Sequence, residues 1–440
     1  LRNGSTSTIH LLGDIAGYYL EGASPGFGWI ASGLTAPAGA QVNTMRLDDV
    51  DCPTVDVCYA VGNYSDNVGD GHALVATRLG GIWTTKGFGS SRLTSFGSAD
   101  LDCASESFCA AIYSGYDQAG QYELTPQALV LQNGTWSLTY PGWGVHSVSC
   151  PAVGTCHAAG GVVFATYANG SWSSVPVPLP ADADLSMEDP AFISDLSCWE
   201  ARGCVAVGHY WPNEADPIGL IVRLSTSGAA AMKAFSPSES KYGYHLGAVS
   251  CWDAGQCAFT GSYVDSLDHE AISVGTVVGS TLKSLRPPVP ADAVSADVGD
   301  TPFQLNLFDI ECQAANQCDA VGVYTSSTGR RPLAESYRSG LWSVRETSGT
   351  PVGPGQLVSI SCAENQHCTA VGVRESSPIA MSLPPTGAIN SASLPSILGS
   401  DPRDAIAWAV SCPAPLGCVA VGVQGDTDSG GGDAVIFEQS

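Results

Sequence analysis

The stretch SDLSCWEARGCVAVGHY, residues 194–210, decides how the chain reads. An alternating run ends at Cys198, five residues turn, and Cys204 opens Val-Ala-Val-Gly before a pair of rings. The phrase recurs in eight cysteine pairs: Cys52/Cys58, Cys103/Cys109, Cys150/Cys156, Cys198/Cys204, Cys251/Cys257, Cys312/Cys318, Cys362/Cys368 and Cys412/Cys418. Successive pairs lie 47 to 61 residues apart, and all 16 cysteines are used. Length alone argues for two or three domains in 440 residues, but self-similarity at a fixed period overrides that prior.

Each repeat reads as four short strands. Strand a ends at the first cysteine with period-2 alternation, as in HSVSC and GAVSC. The second cysteine opens strand b (CYAVGNY, CVAVGHY, CDAVGVY). Strand c is apolar and β-branched, at 73–77, 128–131, 220–223, 271–274 and 434–437. A glycine turn and a tryptophan then start strand d: Gly81-Ile-Trp83, Gly134-Thr-Trp136, Gly170-Ser-Trp172 and Gly340-Leu-Trp342. Repeated antiparallel quartets predict an all-β fold. The architecture is a β-propeller of eight four-stranded blades, with seven or nine as alternatives, forming one domain over 1–440. The start of the chain resembles a c–d turn, and the chain ends just after a strand c. A strand at about 1–9 is therefore expected to complete the last blade and leave no open edge. Residues 10–49, which contain DIAGYYLEGASPGFGWIASGL, hold no cysteine and read as an inserted hairpin or a degenerate blade.

Two cysteines flanking a five-residue turn face each other across strands a and b, which predicts one disulfide per blade. Zinc would need converging pairs at tetrahedral spacing. Each short loop so closed contributes about 2 kcal/mol on the loop-entropy account. Eight such staples point to a secreted, extracellular protein. No apolar run approaches 18 residues, so membrane insertion is not expected. A net charge of −25 with 13% charged residues argues against nucleic acid, which rewards clustered Lys and Arg.

The a–b and c–d turns are short and stereotyped. The b–c loops (65–72, 114–127, 211–218, 264–270) and d–a loops (173–193, 281–305, 343–356) vary, and variable loops on a rigid face are where binding is written. Tyr64, Tyr116, Tyr210, Tyr263 and Tyr324 stand at the mouths of the b–c loops, and Trp211 follows Tyr210. With Asp66, Asp216 and Asp268 they form a candidate glycan-binding set, in which rings stack on sugars and carboxylates bind hydroxyls. Acidic residues before the first cysteine (Asp48, Asp49, Asp51, Asp100, Asp102, Asp195, Asp309, Glu311) could ring a channel mouth and hold a cation. Asp426-Thr-Asp428-Ser-Gly430 opens like a calcium loop but lacks its glutamate, so no cofactor is expected beyond a weak calcium match. Asp428-Ser-Gly-Gly is no protease signature without a placed histidine. The S-x-D-x-G-x-x-W boxes of sialidases are absent.

The repeated SC-x5-CxAVG phrase resembles a class of secreted actinobacterial propeller proteins. Within that class the chain is similar to the lectin-type propeller subunits of umbrella toxin particles. The resemblance spans nearly the whole chain. It implies a non-enzymatic propeller lectin that binds cell-surface glycans and is held on a larger secreted antibacterial particle through an adaptor or scaffold protein. It carries over no residue-level glycan motif. Two other readings stay open: a protein-interaction scaffold, and a glycoside hydrolase using a carboxylate pair.

Overall fold

The computed structural model describes residues 28–439, apart from 90–92, 118–121, 143, 188, 202, 214–215, 226–227, 234–239, 295–304, 346–353, 364–365, 388, 398–404, 416 and 426–431. These residues form eight antiparallel sheets of four strands each. Blade 4 is typical. Its strand a (Ala191–Glu200) pairs with strand b (Gly203–Tyr210), then come strand c (Ile218–Ser225) and strand d (Gly228–Lys233). Each strand a lies against the strands a of both neighbouring blades, and the last against the first. The sheets thus radiate from a central channel as an eight-bladed propeller, so the alternatives of seven and nine blades fall away.

All eight a–b disulfides are present: Cys52–Cys58, Cys103–Cys109, Cys150–Cys156, Cys198–Cys204, Cys251–Cys257, Cys312–Cys318, Cys362–Cys368 and Cys412–Cys418. Their Cα–Cα distances are 3.9–4.1 Å. The bridges do more than close a turn. The second cysteine of every pair is buried: Cys58, Cys109, Cys156, Cys204, Cys257 and Cys318 are 0% exposed, and Cys368 and Cys418 are 2% exposed. One of these eight lies in each of the eight apolar clusters that separate the blades. These sulfurs are therefore core atoms, and none of them belongs to a binding surface.

Each cluster fills the space between two adjacent blades. This division explains the Cys-x-Ala-Val-Gly phrase. Strand b is covered on both faces, so it carries a continuous apolar run instead of alternating. In blade 4, Ala206 packs towards blade 3, whereas Val205 and Val207 pack towards blade 5, all fully buried. Strand d is outermost and largely exposed, as in Ser171–Pro176.

The glycine of the phrase has its own cause. Strand a carries a β-bulge shortly before its cysteine, for example between Ile193 and Asp195 and between Leu307 and Asp309. The bulge swings a carbonyl over the facing glycine. A Cβ on Gly208 would lie 1.9 Å from the Phe192 carbonyl oxygen, and one on Gly322 would lie 1.9 Å from that of Asn306. Only glycine fits there.

Closure differs from expectation. Strand d of blade 8 is Trp29–Gly33, paired antiparallel with Asp433–Gln439, and not a strand at 1–9. Trp29 supplies the reason: it is buried in the cluster between blades 7 and 8, as tryptophans on other strands d are. Gly28 directly precedes Trp29, whereas one residue separates glycine from tryptophan where strand d opens elsewhere. After it, 34–45 is a d–a loop and Arg46–Thr54 is strand a of blade 1, so the described part of 10–49 is neither an inserted hairpin nor a ninth blade. Residues 1–27 lie outside the described residues.

Gly208→Ala is expected to destabilise the ring by about 2 kcal/mol or more, as an overpacked site that only backbone movement relieves. Urea unfolding of the variant beside Gly89→Ala, whose Cβ would meet the His72 ring at an ordinary 3.5 Å, measures the difference.

Candidate functional site

The channel wall is built by two tiers of side chains, one and three residues before the first cysteine of each blade. The upper tier is Asp51, Asp102, Ser149, Ser197, Ser250, Glu311, Ser361 and Ser411. Each accepts the N–H of the cysteine in the next blade, at 2.6–3.3 Å. The circuit closes where Cys52 N–H donates to Ser411 Oγ. In the second tier Asp49, Asp100, Asp195 and Asp309 accept the N–H of Leu101, Val148, Val249 and Ile360 in the next blade. These amides belong to the inner edge of strand a, where no further strand is available to pair them.

Burial drives all of these carboxyl groups upward, with mutual repulsion adding to it at most of them. Asp100 is pushed to about 6, Asp51 and Asp195 to about 7 and Glu311 to about 8. Asp49, Asp195 and Asp309 use their second carboxylate oxygen on the following backbone amide. The belt therefore works as a set of amide acceptors. Asp319, Cys362 and Cys368 also lie close together, but both sulfurs form a disulfide and Arg338 holds the carboxylate at 2.6 Å, so no donor is left for a metal. The calcium-like run at 426–430 lies outside the described residues.

Four of the tyrosines at the ends of strands b, Tyr64, Tyr210, Tyr263 and Tyr324, are buried and serve the fold. Tyr210 donates to Asp182 at 3.0 Å and Tyr324 to Asp292 at 3.1 Å. Both aspartates sit in a Pro-Ala-Asp-Ala turn of the incoming d–a loop, closed by Ala183 N–H to Pro180 and by Ala293 N–H to Pro290. That repeated tetrapeptide is the sequence signal that separates an anchoring tyrosine from a binding one. Tyr64 is buried against His72, their rings stacked at 5.0 Å. Tyr263 packs edge-on to Tyr244. Their ring faces are not open to a sugar, which corrects the expectation of stacking. Tyr116 ends its strand b (Phe108–Asp117), and its side chain is outside the described residues. Asp66 shapes its own loop, accepting from Val68, Asp70 and His72.

What the b–c/d–a face does offer is a cleft of about 490 Å³ over blade 5. Its rings come from the beginnings of strands a, one register away from the tyrosines singled out in the sequence: Tyr242, His245 and Phe308. Polar groups alternate with them: Asp216 of the blade 4 b–c loop, Glu270 of blade 5 and Asn306 of blade 6. Tyr263 contributes to the cleft floor. Asp268 stands behind it, taking Tyr242 Oη–H at 3.2 Å and Lys241 Nζ at 2.6 Å, and Lys241 holds its carboxyl below the usual range. Asp268 thus positions the Tyr242 ring. His209 joins a group of rings beside the cleft, 4.3 Å from His245, 4.6 Å from Trp211 and 5.8 Å from Phe192, which stacks on His146 at 4.7 Å. Burial, with His245 adding to it, pushes His209 down to about 4, so its imidazole is neutral at physiological pH.

No protein-family model matches the chain, and no curated protein matches it. Solved structures do. The β-propeller domain of the trilobed protease from Pyrococcus furiosus is similar at 8% identity and a TM-score of 0.46, over 80% of this chain and 97% of that one. The fucose-specific lectin of Aleuria aurantia is similar at 11% identity and a TM-score of 0.40, over 82% and 100%. A subtype N11 neuraminidase-like protein of influenza from a flat-faced bat is similar at 10% identity and a TM-score of 0.38, over 79% and 88%.

The channel belt makes stability pH-dependent. Carboxyl groups raised in the folded state bind protons that the unfolded chain has already released, so their contribution is complete at acid pH and is lost as pH rises through about 6 to 8. The melting temperature is expected to be higher at pH 5.5 than at pH 8.5. Asp51→Asn with Glu311→Gln should flatten that slope in a calorimetric pH series.

Proposed function

We propose that the chain is a secreted, non-enzymatic propeller lectin that takes a cell-surface glycan into the cleft over blade 5. The observation that carries this reading is the alternation of Tyr242, His245 and Phe308 with Asp216, Glu270 and Asn306 around one concave site. Sugars present apolar C–H faces and rings of hydroxyls, and a site with ring faces next to carboxylates, an amide and the His245 imidazole answers both. The carboxylates of the channel are engaged by backbone amides, which favours binding over turnover.

Eight disulfides support an oxidising, extracellular setting, and no helix among the described residues is long and apolar enough to cross a membrane. The resemblance of the cysteine-pair repeat to umbrella-particle propellers extends the reading to a targeting subunit, held on a larger secreted antibacterial particle through an adaptor protein.

Glycan-array binding of the full chain beside Tyr242→Ala and Phe308→Ala tests the site. Selective binding that drops at least tenfold in both variants, with unchanged melting temperatures, is the expected result. Tyr210→Ala, by contrast, should lower stability by about 1–3 kcal/mol through its lost hydroxyl and packing and leave binding by the folded fraction intact. Binding indifferent to Tyr242 and Phe308 would remove the site from blade 5, and binding to no glycan would favour the protein-scaffold reading.

A further inference from the structure

The same place in the repeat opens a second time. Over blade 7 lies a cleft of about 530 Å³, formed like the first by the b–c turn of the preceding blade, the start of two strands a and the b–c turn of its own blade. Its chemistry is different. Where the blade 5 cleft presents rings, this one presents the half-buried guanidinium of Arg330, the Gln356 amide and the Glu375-Ser376 turn, between apolar walls from Pro354 and Ile406.

The Arg330 side chain makes no hydrogen bond or ion pair among the described residues. That is notable in a chain of net charge −25 with 17 Lys and Arg in all. Other arginines have acidic partners: Arg46 with Asp48, Arg78 with Glu438, Arg286 with Asp265, Arg331 with Asp292, and Arg338 and Arg345 with Asp319. Arg331 turns to the blade 5 side, and its neighbour Arg330, one residue back along the strand (Gly329–Arg338), faces blade 7 with an open fork.

The exposed b–c turn at the rim of the cleft is held in an unusual backbone state. Glu375 and Ser376 both have positive φ, at 49° and 64°, where a two-residue hairpin ordinarily uses Asn and Gly. The turn is pinned on both sides, by Glu375 N–H to the Pro354 carbonyl and Ala405 N–H to the Ser376 carbonyl. Two side chains that a glycine turn would lack are thereby kept at the cleft, and backbone strain retained in this way concentrates at ligand clamps.

We infer that the blade 7 cleft is a second ligand site and that it binds a carboxylate-bearing sugar, the acidic residue of a uronic- or sialic-acid type glycan. The Arg330 fork matches a planar carboxylate through two parallel hydrogen bonds. Glu375 and Ser376 are placed to bond ring hydroxyls, and Pro354 and Ile406 meet the C–H face. The proposal extends the lectin reading to a second site, and its test stands apart from the first.

That test is calorimetric titration of the full chain with methyl glucuronide and N-acetylneuraminic acid, beside methyl glucoside as the neutral counterpart. An acidic sugar is expected to saturate one site and to bind at least tenfold more tightly than the glucoside. Arg330→Gln should abolish that preference at an unchanged melting temperature. Arg330→Lys should keep only part of it, since the charge remains and the fork is lost. Tyr242→Ala, in the other cleft, should leave the preference intact even where it abolishes binding of a neutral glycan. Equal binding of acidic and neutral sugars by the native chain, or a preference that survives Arg330→Gln, overturns the proposal.

Discussion

The ring rests on one constraint: the inner strand of each blade has an edge facing the channel and no strand to pair it. An open row of buried N–H groups is costly in any sheet. Here each blade lends side chains to the next. The residue before the first cysteine accepts that cysteine's counterpart N–H one blade on, from Asp51 to Cys103 and round to Ser411 and Cys52. The interaction is therefore circular, closing where Cys52 N–H meets Ser411 Oγ.

That arrangement accounts for several features at once. The channel carboxylates act as amide acceptors, and burial, with mutual repulsion adding to it, raises their proton affinity. The disulfides sit at the same end of strand a, fixing the a–b turn from which the second strand begins. With one end of the ring made uniform, variation is confined to the other face, where strands a begin and the b–c turns meet. The two clefts over blades 5 and 7 have the same construction and different lining, with rings at one and an arginine at the other.

Much of this was legible in the residues. The cysteine phrase predicts the strand pair, the disulfide and the blade count, since covalent spacing and a doubly covered strand leave few alternatives. That the second sulfur of each pair, from Cys58 round to Cys418, would be buried between blades was not legible, because the covering surface comes from another repeat. The Gly-x-Trp signal marks strand d in blades 1, 2, 3 and 6, but the closing strand begins at Gly28-Trp29 without that spacing, so the signal missed it. The role of a strand-end tyrosine is not legible locally, for a physical reason. A tyrosine at a strand end is suited both to a sugar and to an aspartate in an incoming loop, and Asp182 and Asp292 occupy Tyr210 and Tyr324 from 28 and 32 residues away.

The sequence by itself determined the blade, because strand alternation, the glycine beneath the bulge and the cysteine spacing all act within about fifty residues. It also placed carboxylates at recurring positions before the cysteine, but that they are buried acceptors for the next blade's amides was decided by the neighbouring blade. Only the tertiary structure decided which rings face solvent, that Tyr242 and Phe308 share a cleft, and that Arg330 is left without a counter-ion. Those outcomes depend on the angle at which three successive blades meet. Side chains some sixty residues apart become neighbours there, and no local pattern encodes the distance between them.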